Sequence, residues 1–186
     1  MDINTEFGYW VRVAPFAGYK LEKYSRPAYV GDKPVPQNLN ELTLGQLIEL
    51  SELEDSNESL YKVCSVILGM SHEETDKARA VDVVGFIGWV LGEVEKINKL
   101  FESTNTKPTE EERKAGIEQL KFGLFGMLDW YAQRMRIQDH EEVAKTPWMR
   151  VYKCLDMDAK KLLFNRKLQE IQADEYRRKI KGNRHG

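Results

Sequence analysis

Three histidines and two cysteines are the side chains of this sequence best suited to metal binding or nucleophilic attack: His72, His140, His185, Cys64 and Cys154. His72 and His140 occupy near-identical tetrapeptides, Ser71-His72-Glu73-Glu74 and Asp139-His140-Glu141-Glu142. Imidazole nitrogen and carboxylate oxygen both ligate divalent cations, so each tetrapeptide invites a metal reading. Neither histidine has a second His or Cys four residues on, the spacing that places two ligands on one helix face. The same tetrapeptides are helix N-caps, with Ser or Asp three residues before a Glu. Their early acids also favour the positive end of a helix. Capping accounts for both without a metal. His185 lies in the C-terminal tail, and no metal site is expected.

The cysteines are far apart in sequence and form no dense disulfide framework. Cys64 sits between Val63 and Val66, and Cys154 sits beside Leu155 with no nearby His. A reactive thiolate needs an electropositive, partly open setting, which neither context supplies, so both read as reduced, buried, small hydrophobes. Asp82 is the one oddly placed acid, inside the apolar run 80–92. It caps a helix or pairs with a buried Arg or Lys. The sequence contains no GxGxxG, phosphate loop, GxSxG or HExxH, so no enzyme or cofactor is expected. Aromatic residues gather late in the chain, and Trp130, Tyr131, Trp148, Tyr152 and Phe164 are the candidate anchors for a protein partner. Trp and Tyr dominate interface energetics, although aromatics at helical spacing also build cores.

Helices must position these residues. Thr43-Leu44-Gly45-Gln46 fits a capping box, as do the starts at Ser71, Thr109 and Asp139. Thr146-Pro147 is a cap followed by proline at the first helical position. The expected helices lie near 43–54, 57–68, 72–78, 80–103, 110–136, 140–145, 147–155 and 158–180. In the 80–103 helix, Val83, Ile87, Val90, Val94, Ile97 and Phe101 form one apolar stripe. Gly85, Gly88 and Gly92 lie opposite. Each glycine costs roughly 1 kcal/mol against alanine inside a helix, so close approach of another backbone is expected there. The natural candidate is an antiparallel pairing with 110–136 across the short loop 103–108; the alternative is a partner chain. Residues 1–38 differ. Phe7, Tyr9, Val11 and Val13 alternate as in a strand, a second strand is expected at 19–24, and four of the six prolines fall here. The expected fold is mainly α: a multi-helix bundle with a short N-terminal β-hairpin or extended arm at 1–38, a helical domain at 39–175, and a basic tail at 176–186.

Bulk composition narrows the partners. The 186 residues carry 28 Lys plus Arg and 30 Asp plus Glu, a net charge of -2, which argues against general attraction to nucleic acid or to an anionic membrane. The N-terminus shows no apolar signal region and no apolar run is long enough to span a bilayer, so a cytoplasmic location is expected.

The order of motifs supports a resemblance. In 39–68, LNELTLGQLIELSELED and the apolar helix after it resemble the opening helices of the tail assembly chaperones of long-tailed bacteriophages: a leading Leu, a T-x-G-Q helix start and an acidic helix end. In 115–171, Asp139, Glu142, Val143 and Pro147 resemble that family's D-x-x-E-V-x-x-x-P start before a final charge-rich helix. The resemblance implies a non-enzymatic phage or prophage protein of the host cytoplasm that binds tape measure or tail tube protein, or a related structural protein. An oligomer is compatible with it. The alternative is a helical nucleic-acid-binding protein using Arg177, Arg178, Lys179, Lys181 and Arg184 on phosphates.

Overall fold

The apolar stripe of the longest buried helix organises the molecule. The computed structural model describes residues 4–17, 26–120 and 122–183. Among them are nine α-helices and one two-stranded antiparallel sheet. In chain order these are α1 (Phe7–Ala17), β1 (Tyr29–Val30), β2 (Lys33–Pro34), α2 (Leu44–Ser51), α3 (Asn57–Leu68), α4 (His72–Lys77), α5 (Ala80–Ser103), α6 (Glu110–Lys114), α7 (Gly123–Met135), α8 (His140–Ala144) and α9 (Trp148–Asn183). A single 3-10 turn, Ile117–Gln119, lies between α6 and α7. The fold is mainly α with a short hairpin.

Val83, Ile87, Val90, Val94 and Ile97 are all buried on α5, and Phe101 is partly buried. Each such aliphatic side chain contributes about 1.5–3 kcal/mol by leaving water. Val84, Gly85 and Phe86 are buried too, so the first half of α5 is enclosed on most sides, whereas Glu95, Lys96 and Lys99 face solvent. Helices α1, α2, α3 and α9 and strand β1 pack around α5. The expected antiparallel partner is different: the main contact of α7 is α8. Gly92 faces open space and accommodates no backbone.

The long 110–136 helix is broken. Gly116 (φ 84°) and Gly123 (φ 56°) adopt left-handed backbone, and the 3-10 turn directly follows Gly116. Glycine takes that conformation at no steric cost, and two such residues seven apart end a helix more readily than they line one. The opposite correction applies to 147–180. Two helices were expected, at 147–155 and 158–180, yet α9 runs unbroken for 36 residues. Asp156 is paired within the helix to Lys160, and Asp158 is paired to Arg134 of α7, so neither acid competes for backbone.

The N-terminal strand is also corrected. Phe7 to Val13 lie in α1, where Phe7 and Val11, four apart, face inward and Tyr9 faces out. Over seven residues, alternation and an i, i+4 face look alike, and docking decides between them. Phe7 N–H donates to the Ala78 carbonyl (2.8 Å) and Ala80 N–H to the Thr5 carbonyl (2.7 Å). Phe7 sets its ring edge-on against Tyr61 at 5.4 Å. The expected strand at 19–24 lies outside the described residues. The hairpin that does form is β1–β2, pairing Tyr29 with Pro34 and Val30 with Lys33. Arg26 closes its base by donating to the carbonyls of Val35 and Pro36 (2.8 Å each).

Three of the four expected capping boxes form; Asp139 caps α8 without a reciprocal bond, and Pro147, expected as a first helical residue, pairs with Thr43 ahead of α9. Capping boxes are complete at Thr43/Gln46, Ser71/Glu74 and Thr109/Glu112, and Asp139 accepts from Glu141 N–H (2.8 Å). The start of α9 is stapled to the start of α2. Leu44 N–H donates to the Thr146 carbonyl (2.7 Å), and Trp148 N–H to the Leu42 carbonyl (3.1 Å). That staple fixes the direction in which α9 leaves the core.

Candidate protein-binding surface

The five aromatic candidates divide between core and surface. Trp148 is 3% exposed, and its indole N–H donates to the Leu39 carbonyl (2.8 Å). With Tyr152 and Phe101 it forms an aromatic trio at 5.8–6.3 Å that fastens α9 to the end of α5. Tyr131 is 1% exposed, and burial pushes its phenol up, partly offset by Arg150 and Arg134. Trp148 and Tyr131 are therefore core residues that a partner cannot reach without unpacking the fold. Trp130 is half-buried, with the Arg134 guanidinium over its ring at 5.6 Å. It lines a shallow hollow with Phe122, Phe125 and Gln133. Phe164, on α9, is 66% exposed.

Two exposed apolar surfaces result. The first, at the start of α7, comprises Leu120, Phe122 and Phe125, with Trp130 at its edge. The second runs along α9 and comprises Met157, Phe164, Leu168 and Ile171. Of the α9 surface, only Phe164 was among the anchors expected from the sequence. The steps of 7, 4 and 3 along α9 were available in the sequence as a heptad signal. They were obscured because α9 carries so much charge that its mean hydropathy is low.

A half-open cavity of about 320 Å³ lies between α2, α5, α7 and α9. Leu47, Ile48, Phe101, Met127 and Leu155 form its apolar wall. Ser51 and Asn98, hydrogen-bonded to each other at 3.2–3.3 Å, supply its polar side. Its size matches the lower end of small-ligand pockets. Its lining offers no paired nucleophile and base.

Tyr61, His72, His140 and Asp82 have structural partners. The Tyr61 hydroxyl donates to Asp76 Oδ1 (2.7 Å), and its ring stacks on His72 at 3.5 Å. His72 also lies 3.9 Å from Glu58 and 3.8 Å from Asp76. His140 faces Asp129 (3.5 Å) and packs edge-on to Phe125. Burial pushes the Cys64 thiol up to about 12, against a smaller opposing hydrogen bond from Thr75, so it is not an activated thiolate. Cys154 is half-buried and both cysteines are free. Asp82 lies in the first turn of α5 and takes a bidentate pair from Arg79 (2.7 and 3.1 Å). That pair is solvent-facing, not the buried one the sequence allowed. Among the described residues no group of three His, Cys, Asp or Glu side chains is arranged to hold a metal ion. No helix there is long and apolar enough to cross a membrane.

No protein-family model, curated protein or solved structure matches this chain.

Proposed function

We propose that this chain is a non-enzymatic helical adaptor that binds another protein, in the manner of the phage tail assembly chaperones it resembles. The observation that carries the reading is α9: a helix anchored at one end in the core, whose remaining turns hold large apolar side chains in water. Ordering such a helix costs about 1–2 kcal/mol per residue in backbone entropy, and four of its large apolar side chains stay 40–66% exposed. A helix partner that covers them supplies the missing burial, which is the helix-in-groove mode of recognition. The α7 surface around Phe122, Phe125 and Trp130 offers a second contact on the same terms.

The test is co-expression with a phage tape measure protein. Co-purification and increased solubility of that protein are expected. Failure to co-purify or to solubilise it contradicts the reading. Fragments of the tape measure protein narrow the contact to a segment.

A further inference from the structure

The two sides of α9 have opposite surroundings. One side is held by the body of the molecule. Val151 and Trp148 are buried, Asp158 pairs with Arg134, and Arg166 donates to the Lys107 carbonyl (2.9 Å) and to both carboxylate oxygens of Glu112 (2.8 Å each). At roughly 100° per residue, Met157, Phe164, Leu168 and Ile171 fall within an arc of about 60° on the side away from Arg166. All four are exposed. Their 7, 4, 3 spacing is that of a narrow seam between two helices.

The rims of this seam carry one sign of charge. Lys153, Lys160, Lys161, Lys167, Arg178 and Lys179 lie within about 60° of Phe164 on the same projection, all exposed, and Glu175 is the one acid among them. Lys160 and Lys167 are also paired along the helix to Asp156 and Glu170. The other four form no ion pair with another described residue.

We propose that this face of α9 docks an amphipathic helix of a partner protein whose own apolar seam is flanked by Asp and Glu. The proposal deepens the protein-binding reading above and rests on it. Charge decides the occupant. A second copy of this chain would bring one basic rim against another, a like-charge juxtaposition that disfavours pairing. A bilayer surface is also attracted to basic helices, but it requires a broad apolar face, and this seam is narrow, with Lys161 at its edge and Glu175 in line with it.

The test uses the full chain and a synthetic amphipathic peptide of about three heptads, with Leu at the seam positions and Glu on both rims. A twin peptide carries Lys in place of Glu. In fluorescence anisotropy the acidic peptide is expected to bind at least about tenfold more tightly than its twin, less so as salt rises. Phe164→Ser with Leu168→Ser abolishes binding while circular dichroism stays unchanged. Lys161→Glu with Lys179→Glu, which leaves the seam intact, reduces the preference for the acidic peptide. Any of the following overturns the proposal: both peptides binding alike, neither binding, binding that survives the seam substitutions, a dimer in sedimentation that Phe164→Ser dissociates, or stronger retention on phosphatidylserine vesicles than on the peptide. Acidic-peptide binding at the seam without co-purification of the tape measure protein removes the family reading alone. Co-purification without acidic selectivity removes this inference alone.

Discussion

Gly45 and Gly92 are both helical glycines, yet they sit in opposite circumstances. A Cβ built on Gly45 lies 3.2 Å from both the Cβ and the carbonyl oxygen of Ala144, so α2 and α8 approach as closely as they do because no side chain separates them. Gly45→Val should cost about 1–3 kcal/mol through overpacking. Gly92 has no neighbour within 4 Å of such a Cβ, and Gly92→Ala should gain about 0.5–1 kcal/mol from helix propensity. Urea unfolding of the two variants checks both signs. The sequence marked the Gly85, Gly88 and Gly92 face as the close contact and read Gly45 only as part of a capping box, because spacing along one helix does not reveal which neighbour arrives. At Tyr61, burial first and the Asp76 hydrogen bond second push the phenol to about 12 from its ordinary 10. The folded state thus favours the neutral phenol. The resulting stabilisation is complete below pH 10 and is lost as the pH rises through 12, a linkage on the order of 2 kcal/mol. Unfolding measured between pH 9 and 12 should show a steeper loss in the wild type than in Tyr61→Phe, in which the raised Cys64 thiol and Tyr131 phenol still contribute. A wild type and variant that fall in parallel would contradict the assignment.

Elements whose ends are marked by local chemistry were legible, and those decided by docking were not. The boxes at Thr43, Ser71 and Thr109 form as read, because a cap is satisfied within four residues. The α5 stripe is buried as read, because a helix face of 24 residues has one consistent solution. The Phe7–Val13 stretch was misread, because seven residues fit two periods and the choice rests on Ala78, Ala80 and Tyr61, which are distant in sequence. The break between α6 and α7 rests on Gly116 and Gly123 at positive φ. Gly116→Ala should therefore destabilise the protein by roughly 1–2 kcal/mol. A helical glycine would show the opposite sign. Thermal unfolding distinguishes the two, and stabilisation by alanine would mean that the helix runs through this joint.

On the scale of the molecule, one end of the chain is packed and one end reaches outward. Of the five aromatics chosen from the sequence, Trp148 and Tyr131 went to the core, Trp130 and Tyr152 lie partly buried, and only Phe164 stands in water. Sequence identifies large anchors but not which side of a helix the body will cover. That side is fixed by Arg166 reaching Glu112 and by the staple of Trp148 to Leu42. Because Phe164 and Leu168 are exposed and lie outside the core cluster, replacing both by Ser should change stability by less than about 0.5 kcal/mol. The same double substitution should remove partner binding, a combination that a core role for these residues does not allow. Hydrogen exchange of the full chain, alone and with the co-expressed tape measure protein, tests the central claim most directly. The expected result is new protection of amides across 157–171 on α9 while the α5 amides, already buried, stay as they were. Unchanged exchange along α9 in a sample where the two proteins co-purify would contradict the account.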